Sequence, residues 1–149
     1  MNNSNHKFDV ITLFHVFEHL QDPLNVLREL KKKLKVNGKI IIEVPHANDF
    51  LLSIKNLKSF KKFTFWSEHL ILHTEKSLRK FLKVCRFKNI QILYYQRYNF
   101  ENHLGWLTFG TPGGHEFLKG TVDGKFIKDY NEYLKRSKKT DTLIAVADS

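Results

Sequence analysis

Two histidines and a glutamate lie close together near the start of the chain, in the phrase His15-Val-Phe-Glu18-His19. Read by itself, H-x-x-E-H is the inverted zinc-peptidase motif, in which two histidines on one helix bind zinc and the glutamate activates water. Here the phrase directly follows an apolar run, and Asp22-Pro23 comes three residues after it, so no long helix can hold both imidazoles on one face. A carboxylate beside an imidazole can keep a histidine poised near neutral pH as a general base.

A second group of candidate residues lies further along the chain, at Glu68, His69 and His73. The two histidines are four residues apart and would share one face of a helix. Thr74, however, has the residue type of a helix N-cap, which places both histidines in an extended segment before the next helix. We therefore predict no metal site in this chain.

The elements that must position the first group form a strand, a helix and a strand over residues 7–45. The apolar run 8–14 predicts a buried parallel strand, and such strands present functional groups at their carboxyl ends. Residues 23–36 predict an amphipathic helix, and residues 39–44 predict a second buried strand. The right-handed crossover rule makes the two strands parallel neighbours, with His15, Glu18 and His19 at their carboxyl edge.

The remaining elements are less regular. Sequence patterns predict helices at about 49–61, 75–85 and 125–137, strands at 88–96 and 142–147, and an irregular stretch from 97 to about 124. Cys85 lies on the apolar stripe of its helix, which indicates a buried and unreactive thiol. His103 and His115 fall in the irregular stretch and are predicted to be polar loop residues.

Three phrases in this order resemble the second half of the class I S-adenosylmethionine-dependent methyltransferases. The opening FDVITLFHVFEHLQDP is similar to that group's FDxIxxxxVxEHLxDP, which precedes a helix and a G-x-hydrophobic strand. The segment from Glu68 to Phe87 resembles EHLxxxTxxSLxxxLxxxGF, and Asp141 to Asp148 looks like the final antiparallel strand. The resemblance covers most of the chain outside two insertions, residues 46–67 and 97–140.

The resemblance implies an α/β, Rossmann-like half-sheet with the strand order 4-5-7-6, an antiparallel last strand and flanking helices. The chain would form a single domain, residues 1–149, as the carboxyl-terminal part of a sheet whose full order is 3-2-1-4-5-7-6. The strand 8–14 would then be an open edge that is suited to pairing with another chain. Arg86 replaces a glycine of the group, and a left-handed backbone there would cost about 1 kcal/mol.

The resemblance also implies S-adenosylmethionine as the cofactor. Phe14 and His15 would contact it through their backbone, whereas Glu18 and His19 would deprotonate or orient the acceptor. In a simpler interpretation, Glu18 and His19 only cap the short turn and orient the loop.

The later phrase would form a wall of the acceptor pocket. The residues that would touch the acceptor are Trp66, His69 and His73, and a purely structural role for them stays open. The group's glycine-rich cofactor turn is absent from the sequence. The patch from Gly110 to Gly114 follows no strand-helix pattern and predicts a turn or a loop.

These features predict S-adenosylmethionine-dependent methyl transfer to a small-molecule acceptor, with a sugar or cell-envelope glycan precursor preferred. The chain alone would hold the cofactor weakly, because it has the character of a truncated domain. Two alternatives stay open. The chain is either a fragment of a longer methyltransferase or a non-catalytic half-domain that docks on a partner through its open strand edge.

Composition narrows the classes of partner. The net charge is +10, but the lysines are spread along the chain and no RNA-binding motif is present, so we do not expect a nucleic-acid partner. The densest basic segment, residues 51–66, is amphipathic and either covers a substrate pocket or packs on the sheet with its lysines in water.

The sequence also indicates the compartment of the protein and its expected partners. The chain has no apolar run long enough to span a membrane and no apolar signal segment at its start, and Cys85 is its one cysteine, which together predict a cytoplasmic protein. The expected partners are the acceptor and, through the open edge, a second copy or a missing amino-terminal half.

Overall fold

The computed structural model describes residues 6–66 and 69–149, so Glu68 lies outside the described residues. The chain divides into two compact units. Unit 1 comprises the described parts of Met1–Val44, Leu70–Leu93 and Leu143–Ser149, and unit 2 comprises the described parts of Pro45–His69 and Tyr94–Thr142. The segments of unit 2 begin and end within a few residues of the two predicted insertions. The single-domain organisation stays a prediction.

The described elements alternate between strands and helices. In chain order they are β1 (Phe8–Phe14), a 3-10 turn (Phe17–His19), α1 (Pro23–Lys33), β2 (Leu34–Pro45), a second 3-10 turn (Leu51–Ser53), α2 (Lys58–Thr64), α3 (Glu75–Val84), β3 (Lys88–Tyr95), α4 (Phe100–Phe109), α5 (Gly114–Phe117), α6 (Gly124–Arg136) and β4 (Thr142–Asp148). Within residues 6–66 and 69–149, none of the helices has the length and apolar character needed to cross a membrane.

One four-stranded sheet has the order β1-β2-β4-β3. β1 and β2 are parallel, and their register runs from Val10 opposite Lys39 to Phe14 opposite Glu43. This arrangement confirms the predicted crossover unit and the strand order 4-5-7-6. The first strand of that order, β1, lies at one edge of the sheet.

The direction of β4 follows from hydrogen bonds at its two ends. Ser149, just after β4, donates its N–H to the carbonyl of Gly38 near the start of β2. Asp141, just before β4, accepts from the N–H of His46 just after β2, at 2.8 Å. The beginning of one strand therefore meets the end of the other, which confirms the antiparallel last strand.

Helix α1 begins as the sequence predicts and ends earlier. The Asp22 carboxylate accepts from the N–H of Asn25 at 3.1 Å, and Pro23 occupies the first turn. The helix ends at Lys33 and not at residue 36, because Phe8 of β1 pairs with Leu34 and draws the following residues into β2.

The start and the end of α3 match their sequence signals. The Thr74 hydroxyl accepts from the N–H of Ser77 at 3.1 Å, and the Ser77 hydroxyl accepts from the N–H of Thr74 at 2.9 Å, forming a capping box. Cys85 is buried, as predicted, and burial raises the pKa of its thiol. Arg86 has a φ of 60°, so the glycine position of the resembling family is left-handed here as well.

Unit 2 departs most from the predictions. A 3-10 turn and the seven-residue helix α2 replace the predicted helix 49–61. The predicted irregular stretch contains α4 and α5, so that expectation was wrong. Helix α4 has apolar residues on all sides, which leaves no helical periodicity to detect. The core of the unit is formed by Leu51, Leu57, Phe60 and Trp106.

Candidate active site at the end of strand β1

The chain turns sharply where β1 ends. His15 donates its backbone N–H to the carbonyl of Glu43 at 3.0 Å, which continues the parallel ladder by one residue. Its φ is 52°, a left-handed conformation that is unfavourable for a residue with a Cβ atom. The 3-10 turn Phe17–His19 follows at once. This turn brings His15, Glu18 and His19 together at the carboxyl edge, as the sequence predicts.

Carboxylates face both ring nitrogens of His15. Its Nε2 atom lies 3.1 Å from Glu43 Oε1, and its Nδ1 atom lies 3.4 Å from Glu18 Oε1. The Nε2 atom of His19 lies 3.8 Å from the same Glu18 oxygen. Glu18 therefore stands between two imidazoles. Glu43 was not among the residues predicted from the sequence, although it lies at the end of the neighbouring parallel strand, where functional groups are expected.

The Glu18 side chain is fully buried. Neither of its carboxylate oxygens accepts a hydrogen bond from the described residues. Its backbone carbonyl, in contrast, accepts from the N–H groups of Leu70 and Ile71 at 3.0 and 3.2 Å. A buried carboxylate without hydrogen bonds is costly to a fold, and the groups nearest to this one are the imidazoles of His15 and His19.

Access from solvent differs within the cluster. The side chains of His15 and His19 are 35% and 33% exposed, whereas that of Glu18 is 0% exposed. A ligand can therefore contact the two imidazoles but not the carboxylate behind them. In this geometry Glu18 can act on a ligand only through the histidines.

His73 lies inside unit 1. Its ring is fully buried, with ring centroids 5.0 Å from Phe17 and 5.6 Å from Phe81. Burial lowers the pKa of His73 to about 4, so the ring is neutral near pH 7. The structure therefore shows His73 packed beneath the turn that carries Glu18, and its contact with an acceptor stays a prediction.

Trp66 and His69 belong to unit 2. Their ring centroids are 5.8 Å apart, and His69 Nδ1 lies 2.8 Å from the carbonyl oxygen of Thr64, to which it donates. About half of the Trp66 side chain is exposed, which leaves its indole accessible to a ligand. Their predicted contact with the acceptor stays a prediction.

Unit 2 contains a buried polar network that the sequence analysis missed. Gln96 Nε2 lies 3.2 Å from His103 Nε2, and the Nδ1 atom of His103 lies 2.8 Å from the Tyr130 hydroxyl. Burial lowers the pKa of His103 to about 4 and raises that of Tyr130. His103 is 1% exposed, so its assignment to a polar loop was wrong.

Two carboxyl groups of unit 2, those of Asp49 and Asp141, accept hydrogen bonds from backbone N–H groups. The Asp141 carboxylate accepts from Gln96 Nε2 at 2.9 Å and from the N–H groups of Arg97 and Tyr98. The Asp49 carboxylate accepts from the N–H of Leu51, and burial raises its pKa to about 7. These contacts stabilise the turns that carry the donor N–H groups.

Comparison with known proteins gives matches to methyltransferases. Residues 1–92 match the protein family described as "Methyltransferase domain". The tRNA U34 carboxymethyltransferase of Campylobacter fetus subsp. fetus (strain 82-40) is 31% identical over 94 residues, which make up 61% of this chain and 32% of that protein. The chain thus spans about a third of this curated relative.

Two solved structures share the fold. A SAM-dependent methyltransferase from Archaeoglobus fulgidus is 17% identical, with a TM-score of 0.57, and the match covers 97% of this chain and 61% of that one. A SAM-dependent methyltransferase from Thermotoga maritima is 12% identical, with a TM-score of 0.61, and the match covers 99% of this chain and 59% of that one. The chain spans about three fifths of each.

Proposed function

Because the chain belongs to the class I S-adenosylmethionine-dependent methyltransferases, we propose that it carries the acceptor side of a methyl-transfer site. The observation that supports this role is the cluster of His15, Glu18 and His19 at the carboxyl end of a parallel strand. Ligands of open parallel sheets bind outside this edge. Partly exposed imidazoles above a buried carboxylate provide the proton acceptor that such a reaction needs.

The residues present fit part of the cofactor. Phe14 exposes 55% of its side chain at the end of the edge strand β1, and His15 follows it in a left-handed turn. We propose that these two residues hold the methyl-bearing end of S-adenosylmethionine. The group supplies an electrophilic methyl on a sulfonium ion when it is bound. Within the described residues, no glycine-rich turn follows a strand at this edge to receive the ribose and the adenine.

His19 is the proposed general base. The imidazole, whose Nε2 atom lies 3.8 Å from Glu18 Oε1, can take a proton from an acceptor hydroxyl or amine. The buried carboxylate then balances the positive charge on the ring. Glu18 is a positioning residue in this scheme, because its full burial prevents contact with the acceptor. His15, held between Glu18 and Glu43, fixes the carboxylate from the other side.

The acceptor that we propose is a small molecule, with a sugar or cell-envelope glycan precursor preferred. The support in unit 1 is the histidine and carboxylate cluster. Unit 2, taken by itself, exposes aromatic side chains that offer flat apolar faces to a sugar ring. Those side chains are Phe63, Phe65 and Trp66. A nucleoside of RNA is a second candidate, favoured by the curated relative, whose name specifies a tRNA uridine.

A different class of function is a non-catalytic half-domain. Phe8, Val10 and Phe14 of the edge strand are each about half exposed, a feature that favours pairing with another chain. The partner would be a second copy or an amino-terminal half. Light scattering separates the two functions: a dimer that Val10→Lys converts to monomers, without any methyl transfer by the parent, supports the docking function.

Calorimetric titration with S-adenosylmethionine tests the cofactor assignment. We expect the 149-residue chain to bind weakly or not at all, because Phe14 and His15 contact only one end of the cofactor. Micromolar affinity in the monomeric chain would contradict this expectation, and it would show that other residues receive the ribose.

A transfer assay tests the activity itself. Enzyme containing this chain should transfer a radiolabelled methyl group to one class in a panel of nucleotide-activated sugars and RNAs. Transfer to neither class, at a cofactor concentration that saturates the enzyme, would remove the enzymatic proposal and leave the docking function in its place.

A further inference from the structure

Cationic side chains of unit 1 converge where the end of α1 meets the turn between α3 and β3. The Lys31 ammonium donates a hydrogen bond to the backbone carbonyl of Arg86 and lies 4.6 Å from the ring centroid of Phe87. Arg86 and Lys88 extend into solvent from the same turn. These contacts place Lys31, Arg86 and Lys88 in one small patch, which we call the α1–β3 cation patch.

Positive charges dominate the surroundings of Lys31. Its pKa is lowered by burial first and then by Lys88 and Arg86, and within the described part of the chain no carboxylate is among the groups that shift it. The nearby acid on α1, Glu29, is paired with Lys32 at 2.6 Å. The three cations therefore concentrate positive charge in the patch, which favours an anion.

Arg86 occupies a position where the backbone selects against it. Its φ of 60° is the left-handed region, in which glycine is favoured and a side chain with a Cβ atom is strained. A long cationic side chain at such a site stabilises the fold less than glycine would. Residues His15, Asn37, Asn89 and Lys138 are left-handed as well, so the strain makes Arg86 a candidate only in combination with the charge around it.

We propose that the α1–β3 cation patch binds the phosphate backbone of RNA. Guanidinium and ammonium groups both attract phosphates, and arginine offers paired N–H donors to their oxygens. This proposal reverses the sequence-based expectation of no nucleic-acid partner, because the fold gathers cations that are far apart along the chain. Phosphate binding here does not depend on which acceptor receives the methyl group.

RNA fits the patch better than an anionic membrane does. Surfaces that enter a bilayer combine lysines with exposed aromatic or long apolar side chains. Phe87, the aromatic residue beneath Lys31, is buried at 4% exposure and cannot insert. The patch thus offers charge without an apolar anchor, which is typical of contacts with nucleic-acid phosphates.

The test measures binding of a fluorescently labelled transfer RNA transcript to the 149-residue chain across a salt series. Arg86→Gly should weaken binding several-fold at about 50 mM salt and reduce the slope of log affinity against log salt by about 1. The same substitution should raise Tm by about 1 to 3 °C, because glycine relieves the left-handed strain. Weaker binding by a more stable protein excludes a loss caused by unfolding.

Further variants and competitors complete the experiment. Arg86→Lys retains the charge and should retain most of the affinity and the salt slope. Lys88→Gln removes one cation of the patch, so it should weaken binding and reduce the salt slope by about 1. Arg136→Gln removes an exposed arginine at the end of α6 and should change binding little. Inorganic phosphate should compete only weakly, and vesicles of phosphatidylglycerol should not bind.

Two results would overturn the proposal. One is RNA binding that is equally reduced by Arg86→Gly and Arg136→Gln, which would indicate a general effect of net charge. The other is binding to the vesicles in place of the transcript, which would identify a lipid surface as the partner.

Discussion

Carboxylates in the two units differ in the hydrogen bonds that they accept. In unit 2, the Asp141 carboxylate accepts three N–H donors, and Asp49 accepts from the backbone of the following turn. In unit 1, the Glu18 carboxylate is fully buried and accepts no hydrogen bond from the described residues. Acids that organise a fold are hydrogen-bonded, so Glu18 is the one whose burial requires a functional explanation.

The largest expected effect is on the stability of unit 2. Asp141→Ala should lower the free energy of unfolding by about 3 kcal/mol, because Gln96, Arg97 and Tyr98 each lose the acceptor of an N–H group. Urea denaturation of the purified chain measures this change. A loss below about 1 kcal/mol would show that the Asp141 contacts do not distinguish it from Glu18.

Next in size is the response of stability to acid. His73 in unit 1 and His103 in unit 2 have pKa values lowered to about 4, below the unfolded value near 6.5. Between pH 6.5 and 4 the unfolded chain therefore binds more protons at these groups, and stability falls as pH falls. Asp49, with its pKa raised to about 7, acts in the opposite direction over the same range.

The two histidines outweigh Asp49 and Asp141, whose pKa burial also raises, and leave a net loss of about 1 to 3 kcal/mol between pH 6.5 and 4. Unfolding by urea at a series of pH values measures it. His103→Gln should remove one of the two histidine contributions and leave a much flatter profile, and Asp49→Asn should make the parent profile steeper. A parent chain whose stability rises from pH 6.5 to 4 would contradict the burial of both histidines.

A smaller effect on stability is expected at Glu18. Glu18→Gln keeps the shape of the side chain and removes a buried charge, so the free energy of unfolding should stay unchanged or rise by up to about 1 kcal/mol. Methyl transfer should fall, since the neutral amide cannot balance a protonated histidine. If Glu18→Gln destabilises the chain as strongly as Asp141→Ala does, Glu18 caps the turn and the simpler interpretation holds.

The sequence predicts unit 1 well because its signals are local. The caps at Asp22 and Thr74, the apolar run of β1 and the crossover rule each depend on a few neighbouring residues. Those signals also place His15, Glu18 and His19 at the correct edge. They do not reveal that Glu18 is buried, because its burial depends on the segment around Leu70 and Ile71, which is about fifty residues away along the chain.

Unit 2 and the α1–β3 cation patch depend on contacts between distant segments. His103 is buried because α4 packs against residues of α6 such as Tyr130, and nothing near His103 in the sequence signals this. The apolar composition of α4 also hides its helical period. Lys31 and Arg86 are likewise far apart in sequence, so their convergence was visible only in the fold.

The central claim, that His19 accepts the proton of the acceptor, is tested most directly by His19→Ala. Single-turnover methyl transfer should fall about 100- to 10,000-fold, the usual contribution of a positioned base, and the loss should be mildest at high pH, where the acceptor ionises more readily. The dissociation constant of S-adenosylmethionine should stay nearly unchanged. A transfer rate equal to that of the parent, or a loss of cofactor binding, would contradict the account.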